Sequence, residues 1–232
     1  MNLNIVYEDS DILVLNKPAG ISVHKINSQD SRPALIDFVL EKYPEIKSVG
    51  ADPLRPGLVH RLDKETSGLI IIAKNQKSFE YFQNLFQSRM VKKTYLALVH
   101  GKLKNKKGRI ETPLGKIGTK QTVALHGKKE LKEREAITDY EVIKEFPNYS
   151  LLQVYPQTGR THQIRIHLKS IGHPLVCDSV YGGKKQLCPP ELGRLFLHAQ
   201  KLEFQHPNGQ NMILEADPPE ELTNFLKSFN IL

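Results

Sequence analysis

The chain has 232 residues, of which 39% are hydrophobic and 25% charged, and its formal net charge is +8. This length is enough to bury a sizeable core, so we expect one globular domain rather than a disordered chain. No apolar stretch is long enough to span a membrane, and the amino-terminal residues lack the charged-then-apolar order of a signal peptide. The only cysteines, Cys177 and Cys188, show no pairing pattern. These features predict a soluble, cytoplasmic protein.

The first ninety or so residues predict strands and two helices. Apolar runs predict three strands, which are 3–7, 11–15 and 69–73. Helical spacing of apolar residues predicts two helices, which are 34–43 and 77–89. Ser31 is a candidate cap for the first of these helices, with Pro33 in its first turn.

The rest of the chain is richer in strands. Strands are predicted over 93–99 and 149–155, hairpins over 101–145, and further short strands over 195–215. Thr161 is a candidate cap for a helix that runs to about Ile171. A last helix begins at Pro218-Pro219 and turns four apolar side chains inward, which are Leu222, Phe225, Leu226 and Phe229. Clustered strands with a few helices predict an α+β fold with a mixed, largely antiparallel sheet.

The sequence VHRLDKETSG at 59–68 surrounds Asp63 with His60, Arg61 and Lys64, immediately before an apolar strand. Asp63 is open to two interpretations. It is either a turn residue that bonds its own backbone, or a carboxylate that nearby cations hold ionised, able to act as a nucleophile or a base.

A second cluster is PQTGRTHQIRIHL at 156–168. On a helix, His162, Arg165 and Lys169 share one face, and an apolar stripe of Ile164, Leu168 and Ile171 lies opposite. The basic face is either solvated or turned into a cleft. The fork-shaped guanidinium of Arg165 makes it the strongest candidate to pair with a carboxylate.

Positive charge is concentrated between Arg89 and Arg134, where 14 Lys or Arg residues face 3 Glu and no Asp. This stretch is either a surface for a polyanion, RNA or DNA before membrane, or a solvated lysine-rich hairpin. Neither the GxGxxG pattern nor the Walker pattern occurs, and no His/Cys cluster has zinc spacing. We therefore expect neither a cofactor nor a metal ion.

Five ordered stretches of the sequence together resemble the RluA-type pseudouridine synthases. They are KPAG at 17–20, HRLDKETSGLIIIAK at 60–74, KKTYLALVHG at 92–101, TGRTHQIRIHL at 158–168 with GHPLVCDSVYG at 172–182, and LFLHAQKLEF at 195–204. One departure is Cys177, where the family pattern has glycine. The resemblance implies an enzyme that isomerises uridines in structured RNA (ribosomal RNA, transfer RNA or both) to pseudouridine. It also implies the pseudouridine synthase catalytic fold with a central active-site cleft.

The resemblance also implies roles for particular residues. Asp63 would be the nucleophile or base, Tyr95 a stacking residue and Arg165 the partner of the catalytic aspartate. Taken on its own, Tyr95 alternates with Ala97 and Val99 and would be read as core packing. Arg61 would help to hold the place that a flipped-out nucleotide vacates. The candidate RNA-binding residues are Arg61, His60, Lys17, Arg160, His162, Lys104, Lys106 and Lys107. We expect residues 1–232 to form a single catalytic domain without a separate amino-terminal RNA-binding module, and to act as a monomer.

Two other functions are compatible with parts of the sequence. LDKETSG faintly resembles the phosphorylated aspartate loop of haloacid-dehalogenase-like phosphotransferases, which need a second acidic cluster for magnesium, and none is evident downstream. A non-catalytic RNA-binding relative is the other alternative, and the presence of Asp63, Tyr95 and Arg165 argues against it.

Overall fold

The computed structural model describes residues 1–117, 120–123, 133–183 and 188–229. The chain folds into two compact units, each made of two segments. The first unit comprises Met1–Lys92 and Ala199–Asp217, and the second comprises Lys93–His198 and Pro218–Leu232. Antiparallel strand pairs and α-helices build both units, which confirms the predicted α+β class. No helix in the described part of the chain is long and apolar enough to cross a membrane.

In chain order, the strands of the described residues are β1 (Ile5–Glu8), β2 (Ile12–Lys17), β3 (Ser67–Ala73), β4 (Lys92–His100), β5 (Lys107–Ile110), β6 (Leu114–Ile117), β7 (Lys120–Val123), β8 (Thr138–Glu145), β9 (Tyr149–Pro156), β10 (Leu197–Gln205) and β11 (Asn211–Glu215). The α-helices are α1 (Leu35–Lys42), α2 (Gln76–Gln87), α3 (Gln163–Ser170) and α4 (Glu220–Ser228), and a 3-10 helix covers Pro44–Ser48.

The central element of the first unit is β3, which lies between β2 and β10 in the strand order β1, β2, β3, β10. All seven residues of β3 are buried. A strand that is covered on both faces is a continuous apolar run rather than an alternating one, which is why 69–73 was predictable from sequence. Leu69 and Ile71 pack with Phe82 of α2 in one apolar cluster.

Gly68 allows β3 to approach β10 closely. Its backbone has a φ of 117°, and a Cβ at this position would collide with the backbone of Ala199. Only glycine tolerates both conditions. The close approach fixes β3 just after the segment that carries Asp63.

Both helices of the first unit begin where side chains satisfy backbone N–H groups. The predicted cap for α1, Ser31, is wrong. The helix is capped at Ala34, whose backbone N–H donates to the Asp37 carboxylate over 3.0 Å. Asn75 caps α2 by accepting the N–H of Ser78.

The sheet of the second unit runs in the order β4, β9, β8, β5, and each neighbouring pair is antiparallel. β6 and β7 form a separate hairpin. The strands predicted over 93–99 and 149–155 are confirmed. Of the hairpins predicted over 101–145, β6 with β7 is confirmed among the described residues, whereas β5 pairs with the distant β8. Residues 118–119 and 124–132 of that region lie outside the described residues.

α3 packs its apolar side on the sheet of the second unit. Ile164 and Leu168 join a cluster with Ala97 and Val99 of β4, but Ile171 is exposed, so the predicted stripe is shorter than expected. Thr161 is not the cap, because the helix begins after His162, which has a left-handed φ of 57° and makes no side-chain capping bond. The four apolar residues predicted to face inward from α4 do pack in one cluster.

The two cysteines are paired. A disulfide joins Cys177 to Cys188, a pairing that was not predicted from the sequence. The sequence separation of 11 residues gave no signal of the pairing, because a disulfide depends on the approach of the two Cα atoms in space.

Candidate active site

Asp63 lies in a turn that leads into β3. Its side chain is half-buried, between the exposed Arg61 and the exposed Lys64. The backbone carbonyl of Asp63 accepts the N–H of Thr66 over 3.1 Å. The turn is therefore closed by main-chain atoms, and the interpretation of Asp63 as a side-chain-to-backbone turn residue is not required to explain its shape.

Lys17 ties the loop after β2 to the segment beside Asp63. Its side chain is fully buried, and its ammonium group donates to the carbonyls of Pro18 (2.8 Å), Ile21 (2.9 Å) and Lys64 (3.1 Å). The carbonyl of Lys64 also accepts the N–H of Gly20. An ammonium group with no exposed surface does not fit the predicted role in binding RNA, and the geometry instead gives Lys17 a role in holding the loop next to Asp63.

His60 is held by atoms of its own unit. Its Nε2 accepts the N–H of Ile71 in β3 over 2.8 Å, and its ring stacks on Phe86 of α2 with 4.4 Å between ring centroids. Because Nε2 is an acceptor, the ring hydrogen belongs on Nδ1. These contacts orient the ring towards the fold, so they support a structural role more than the predicted contact with RNA.

Arg61 differs from His60 and Lys17 because its side chain is exposed. Its Nη1 lies 3.3 Å from Nε2 of His24. His24 is itself buried, and its Nδ1 lies 2.6 Å from the carbonyl of Lys25. Arg61 therefore combines an exposed side chain with a buried hydrogen-bonding partner, His24.

Tyr95 lies on β4 of the second unit, opposite Val154 of β9. It is partly buried and packs against the cluster that contains Ala97 and Val99. The alternation predicted from sequence is therefore confirmed, and the tyrosine sits at the edge of a packed core.

Arg165 forms a buried, two-pronged ion pair with Asp178. Its Nε donates to Oδ2 over 2.9 Å and its Nη2 donates to Oδ1 over 2.7 Å. The side chains are 4% and 0% exposed. Burial alone would raise the pKa of Asp178, but the hydrogen bonds and charge of Arg165, together with two backbone N–H groups, hold that pKa below its usual value. The expectation that Arg165 pairs with a carboxylate is confirmed for Asp178, and its pairing with Asp63 stays a prediction.

The basic face predicted on α3 converges on the ring of Tyr181. The guanidinium of Arg165 and the ammonium of Lys169 lie 5.2 and 5.8 Å from its centroid. Nδ1 of His162 lies 2.8 Å from the Tyr181 hydroxyl. Arg160, another predicted RNA-binding residue, donates its Nε to the carbonyl of Glu135. The face is therefore organised by aromatic and ionic contacts rather than fully solvated.

The lysines before and at the start of β5, which we call the lysine-rich segment, are partly neutralised by carboxylates of β8. Lys106 pairs with Glu145 over 2.5 Å, and Lys107 pairs with Glu141 over 2.9 Å. Lys104 is exposed. The positive excess counted between residues 89 and 134 is therefore smaller in the fold than in the sequence, because the neutralising residues lie beyond position 134.

Comparison with known proteins decides the family. The family model described as RNA pseudouridylate synthase matches residues 11–170. The chain belongs to the RNA pseudouridylate synthase family. It is thus an enzyme that isomerises uridine in RNA to pseudouridine, and the phosphotransferase and non-catalytic alternatives are set aside.

Several relatives in this family match almost the whole chain. An "Uncharacterized RNA pseudouridine synthase" of Aquifex aeolicus is 41% identical over 229 residues, which cover 94% of this chain and 70% of the relative. The "Ribosomal large subunit pseudouridine synthase D" of Pseudomonas aeruginosa is 38% identical, with 95% of this chain and 70% of the relative covered. That of Yersinia pestis is 37% identical, with coverages of 97% and 71%. The predicted RluA-type resemblance is confirmed.

Solved structures agree with the RNA pseudouridylate synthase fold. "Human RNA Pseudouridylate Synthase Domain Containing 4" superposes with a TM-score of 0.79 and 25% identity, covering 98% of this chain and 93% of that one. "Human RNA Pseudouridylate Synthase Domain Containing 1" has a TM-score of 0.74 and 24% identity, and covers 100% and 96% of the two chains. At 24% identity, the similarity to this second structure supports the fold alone.

One group of described side chains offers possible metal ligands to this pseudouridylate synthase, although spacing along the sequence suggested none. Atoms of Asp9, Asp11 and His206 lie within 4.8 Å of one another. Asp9 already accepts hydrogen bonds from the hydroxyl of Tyr7 and from two backbone N–H groups, and Asp11 accepts one from Ser78. Nε2 of His206 lies 3.0 Å from Asp9. These contacts account for the group as the support of the turn between β1 and β2.

Three residues that contact the candidate catalytic and RNA-binding side chains were not predicted from the sequence. They are His24 beside Arg61, and Asp178 and Tyr181 beside Arg165. The last two lie in GHPLVCDSVYG, a stretch that carried the family resemblance, so their presence there was the available signal. His24 follows the KPAG loop and gave none.

Proposed function

We propose that Asp63 is the residue that starts the isomerisation of uridine. The observation that carries this proposal is the position of Asp63 in the turn before β3, the stretch that matches the family's second motif. Lys17 fixes the neighbouring carbonyl of Lys64, and every residue of β3 is buried. A carboxylate supported by such rigid elements is suited to meet a reacting atom in one orientation.

The reaction conserves atoms and electrons. The bond between uracil N1 and ribose C1′ breaks, the base turns, and a bond forms between uracil C5 and the same C1′. The proton that leaves C5 balances the one that N1 gains. No oxidant or reductant is needed, and water has to be kept away from the detached base because hydrolysis would leave an abasic site.

Two routes are open to Asp63. The carboxylate either attacks C1′ and forms a covalent bond to the ribose, or removes the proton from C2′ and gives a glycal. Glycoside hydrolases usually employ two carboxylates, one of which activates water or protonates the leaving group. A single carboxylate suits a reaction in which the base returns to the same sugar.

We assign Tyr95 and Arg165 the roles that the family resemblance implies. Tyr95 presents an aromatic ring for stacking and a hydroxyl that can take part in moving the proton from C5. Arg165 presents five N–H groups, of which two are used on Asp178. The Asp178 contact fixes the plane of the guanidinium, and a fixed guanidinium is suited to stabilise the charge of a catalytic carboxylate.

We assign Arg61 to the RNA rather than to the chemistry. The target uridine is stacked in RNA and has to leave the stack before it can react, which costs a few kcal/mol. An exposed guanidinium can stack on neighbouring bases and contact phosphate, and so offset part of that cost. Exposed lysines such as Lys104 add an attraction to RNA that does not depend on sequence.

We propose ribosomal RNA of the large subunit as the substrate class, with transfer RNA as the alternative. The names of the relatives from Pseudomonas aeruginosa and Yersinia pestis support the first choice. The two units together would form one catalytic domain, because the family match at 11–170 includes residues of both. The enzyme would act as a monomer in the cytoplasm, a compartment in which a disulfide such as Cys177–Cys188 is rare.

Pseudouridine mapping tests this proposal. Total RNA from cells with and without the protein is mapped at single-nucleotide resolution. The expected result is the loss of one or a few pseudouridines from large-subunit RNA, restored by the wild-type gene and not by Asp63→Asn. Loss of pseudouridines from transfer RNA alone would favour the alternative substrate.

A further inference from the structure

His24 occupies a rigid position immediately after the KPAG loop. Its side chain is 8% exposed. The residues before it are bound to the first turn of α1, since the carbonyls of Ser22 and Val23 accept N–H groups of that turn. On the other side, the ammonium of Lys25 lies 3.3 Å from the carboxylate of Asp37 in α1. The ring is therefore held between two segments that α1 anchors.

The hydrogen bonds of His24 define its tautomer. Nδ1 lies 2.6 Å from the carbonyl oxygen of Lys25, and a carbonyl only accepts, so Nδ1 carries the hydrogen. Nε2 then has a lone pair, which is directed at Nη1 of Arg61 at 3.3 Å. The ring is thus held by the carbonyl of Lys25 at one nitrogen and holds the exposed guanidinium of Arg61 at the other.

The surroundings of His24 favour this neutral form. Burial lowers the pKa of His24 below its usual value, and the positive charges of Arg55 and Arg61 act in the same direction. The hydrogen bond to Lys25 and the charge of Asp52 oppose the shift without reversing it. The lone pair on Nε2 is therefore retained at neutral pH.

We propose that His24 is a positioning residue for Arg61, which it holds in the orientation needed to contact RNA around the target uridine. This inference rests on the RNA role assigned to Arg61 under the proposed function. An exposed arginine has many rotamers, and each one lost on binding weakens the complex. A guanidinium that is already oriented by a buried acceptor binds with less loss.

A double-mutant cycle tests the inference. His24→Phe keeps a ring of similar shape and removes the acceptor, His24→Gln supplies an acceptor near the position of Nε2, and Arg61→Met removes the guanidinium. The enzyme concentration for half-maximal rate is measured under single-turnover conditions, with enzyme in excess over RNA. His24→Phe should raise it about 10-fold, the change expected from loss of one hydrogen bond to a charged group. His24→Gln should recover most of that loss.

The coupling between the two positions distinguishes positioning from stability. In the Arg61→Met background, His24→Phe should have no further effect, because the group to be positioned is absent. His173→Phe is the matched control, since Nδ1 of His173 also lies at hydrogen-bonding distance (2.9 Å) from a backbone carbonyl, that of His100. Its effects should add to those of Arg61→Met. Urea unfolding of every variant shows whether the fold is kept, and His24→Leu replaces His24→Phe if the latter unfolds.

Additive effects of His24→Phe and Arg61→Met would overturn the inference and leave the proposed function intact. An unchanged half-maximal concentration for Arg61→Met would overturn both the inference and the RNA role of Arg61, while the Asp63 assignment would be judged separately by product formation. Full coupling with recovery by His24→Gln supports the inference.

Discussion

Arg165 and Asp178 form a two-pronged ion pair in which both side chains are almost completely removed from solvent. Asp178 also accepts the backbone N–H groups of Val180 and Tyr181. The pair therefore joins α3 to the loop that follows Cys177. It fixes the arginine for which the family resemblance implies a catalytic role, and it does so with a residue that sequence analysis had not singled out.

Removal of Asp178 should destabilise the protein strongly. Asp178→Ala leaves the charge of Arg165 buried without this partner, and loss of one member of a buried pair costs roughly 3–5 kcal/mol. Asp139→Ala is the control, because it removes a two-pronged partner from the exposed Arg109, where a pair contributes about 0.2–1 kcal/mol. Urea unfolding at pH 7 measures both. Equal losses for the two variants would show that burial of the Arg165 pair does not determine its contribution.

The same pair should make stability depend on pH in acid. The pKa of Asp178 is lower in the folded protein than its ordinary value, which is about 3.9 in an unfolded chain. Its contribution to stability is thus complete above that value and is lost as the pH falls through the folded pKa. The free energy of unfolding should drop more steeply below about pH 4 in the wild type than in Asp178→Asn. Parallel pH profiles for the two proteins would contradict this.

Lys17→Met should impair folding and leave the electrostatics of RNA binding unchanged. The substitution removes the ammonium donor from the carbonyls of Pro18 and Ile21, and loss of a hydrogen bond to a charged group costs about 1.5–3 kcal/mol. The slope of log affinity against log salt should match that of the wild type, because the ammonium is fully buried. A slope reduced by roughly 0.7–0.9 would instead indicate a phosphate contact by Lys17.

The lysines of the lysine-rich segment should contribute unequally to RNA binding. Lys107 is paired across the strands with Glu141. Lys104 is exposed and forms no ion pair with the residues that the structure describes. Lys104→Gln should reduce the salt slope by roughly 0.7–0.9, and Lys107→Gln should reduce it less. Glu141→Gln should strengthen binding at low salt, since it removes a carboxylate beside Lys107. If none of the three variants alters the slope, the lysine-rich segment does not contact RNA.

The buried strand β3 and the amphipathic helix α2 could be predicted from the sequence because their signals are local. The apolar run of β3 and the helical spacing in α2 each lie within one short segment. Helix starts were less predictable. The backbone N–H of Ala34 at the start of α1 donates to the side chain of Asp37. Serine is a favoured capping residue, but Ser31 lies too far upstream of the helix.

The surroundings of the candidate site depended on contacts between distant segments. Nothing in KPAG shows that the ammonium of Lys17 is buried, because two of its acceptors are main-chain carbonyls of its own loop and the third belongs to Lys64. The count of positive charge between residues 89 and 134 overestimated the positive charge of the folded surface for a similar reason. The pairing of β5 with β8 places Glu141 opposite Lys107, and a count along the sequence does not contain strand register.

The role of Asp63 is tested most directly by the Asp63→Asn variant with an RNA substrate that the wild type converts. Product is measured as pseudouridine per RNA under single-turnover conditions, and affinity is measured on the same RNA by filter binding. The substitution keeps the size of the side chain and removes the charge. We expect that Asp63→Asn forms no pseudouridine and binds the RNA with nearly wild-type affinity. Pseudouridine formation at the wild-type rate by purified Asp63→Asn would contradict it.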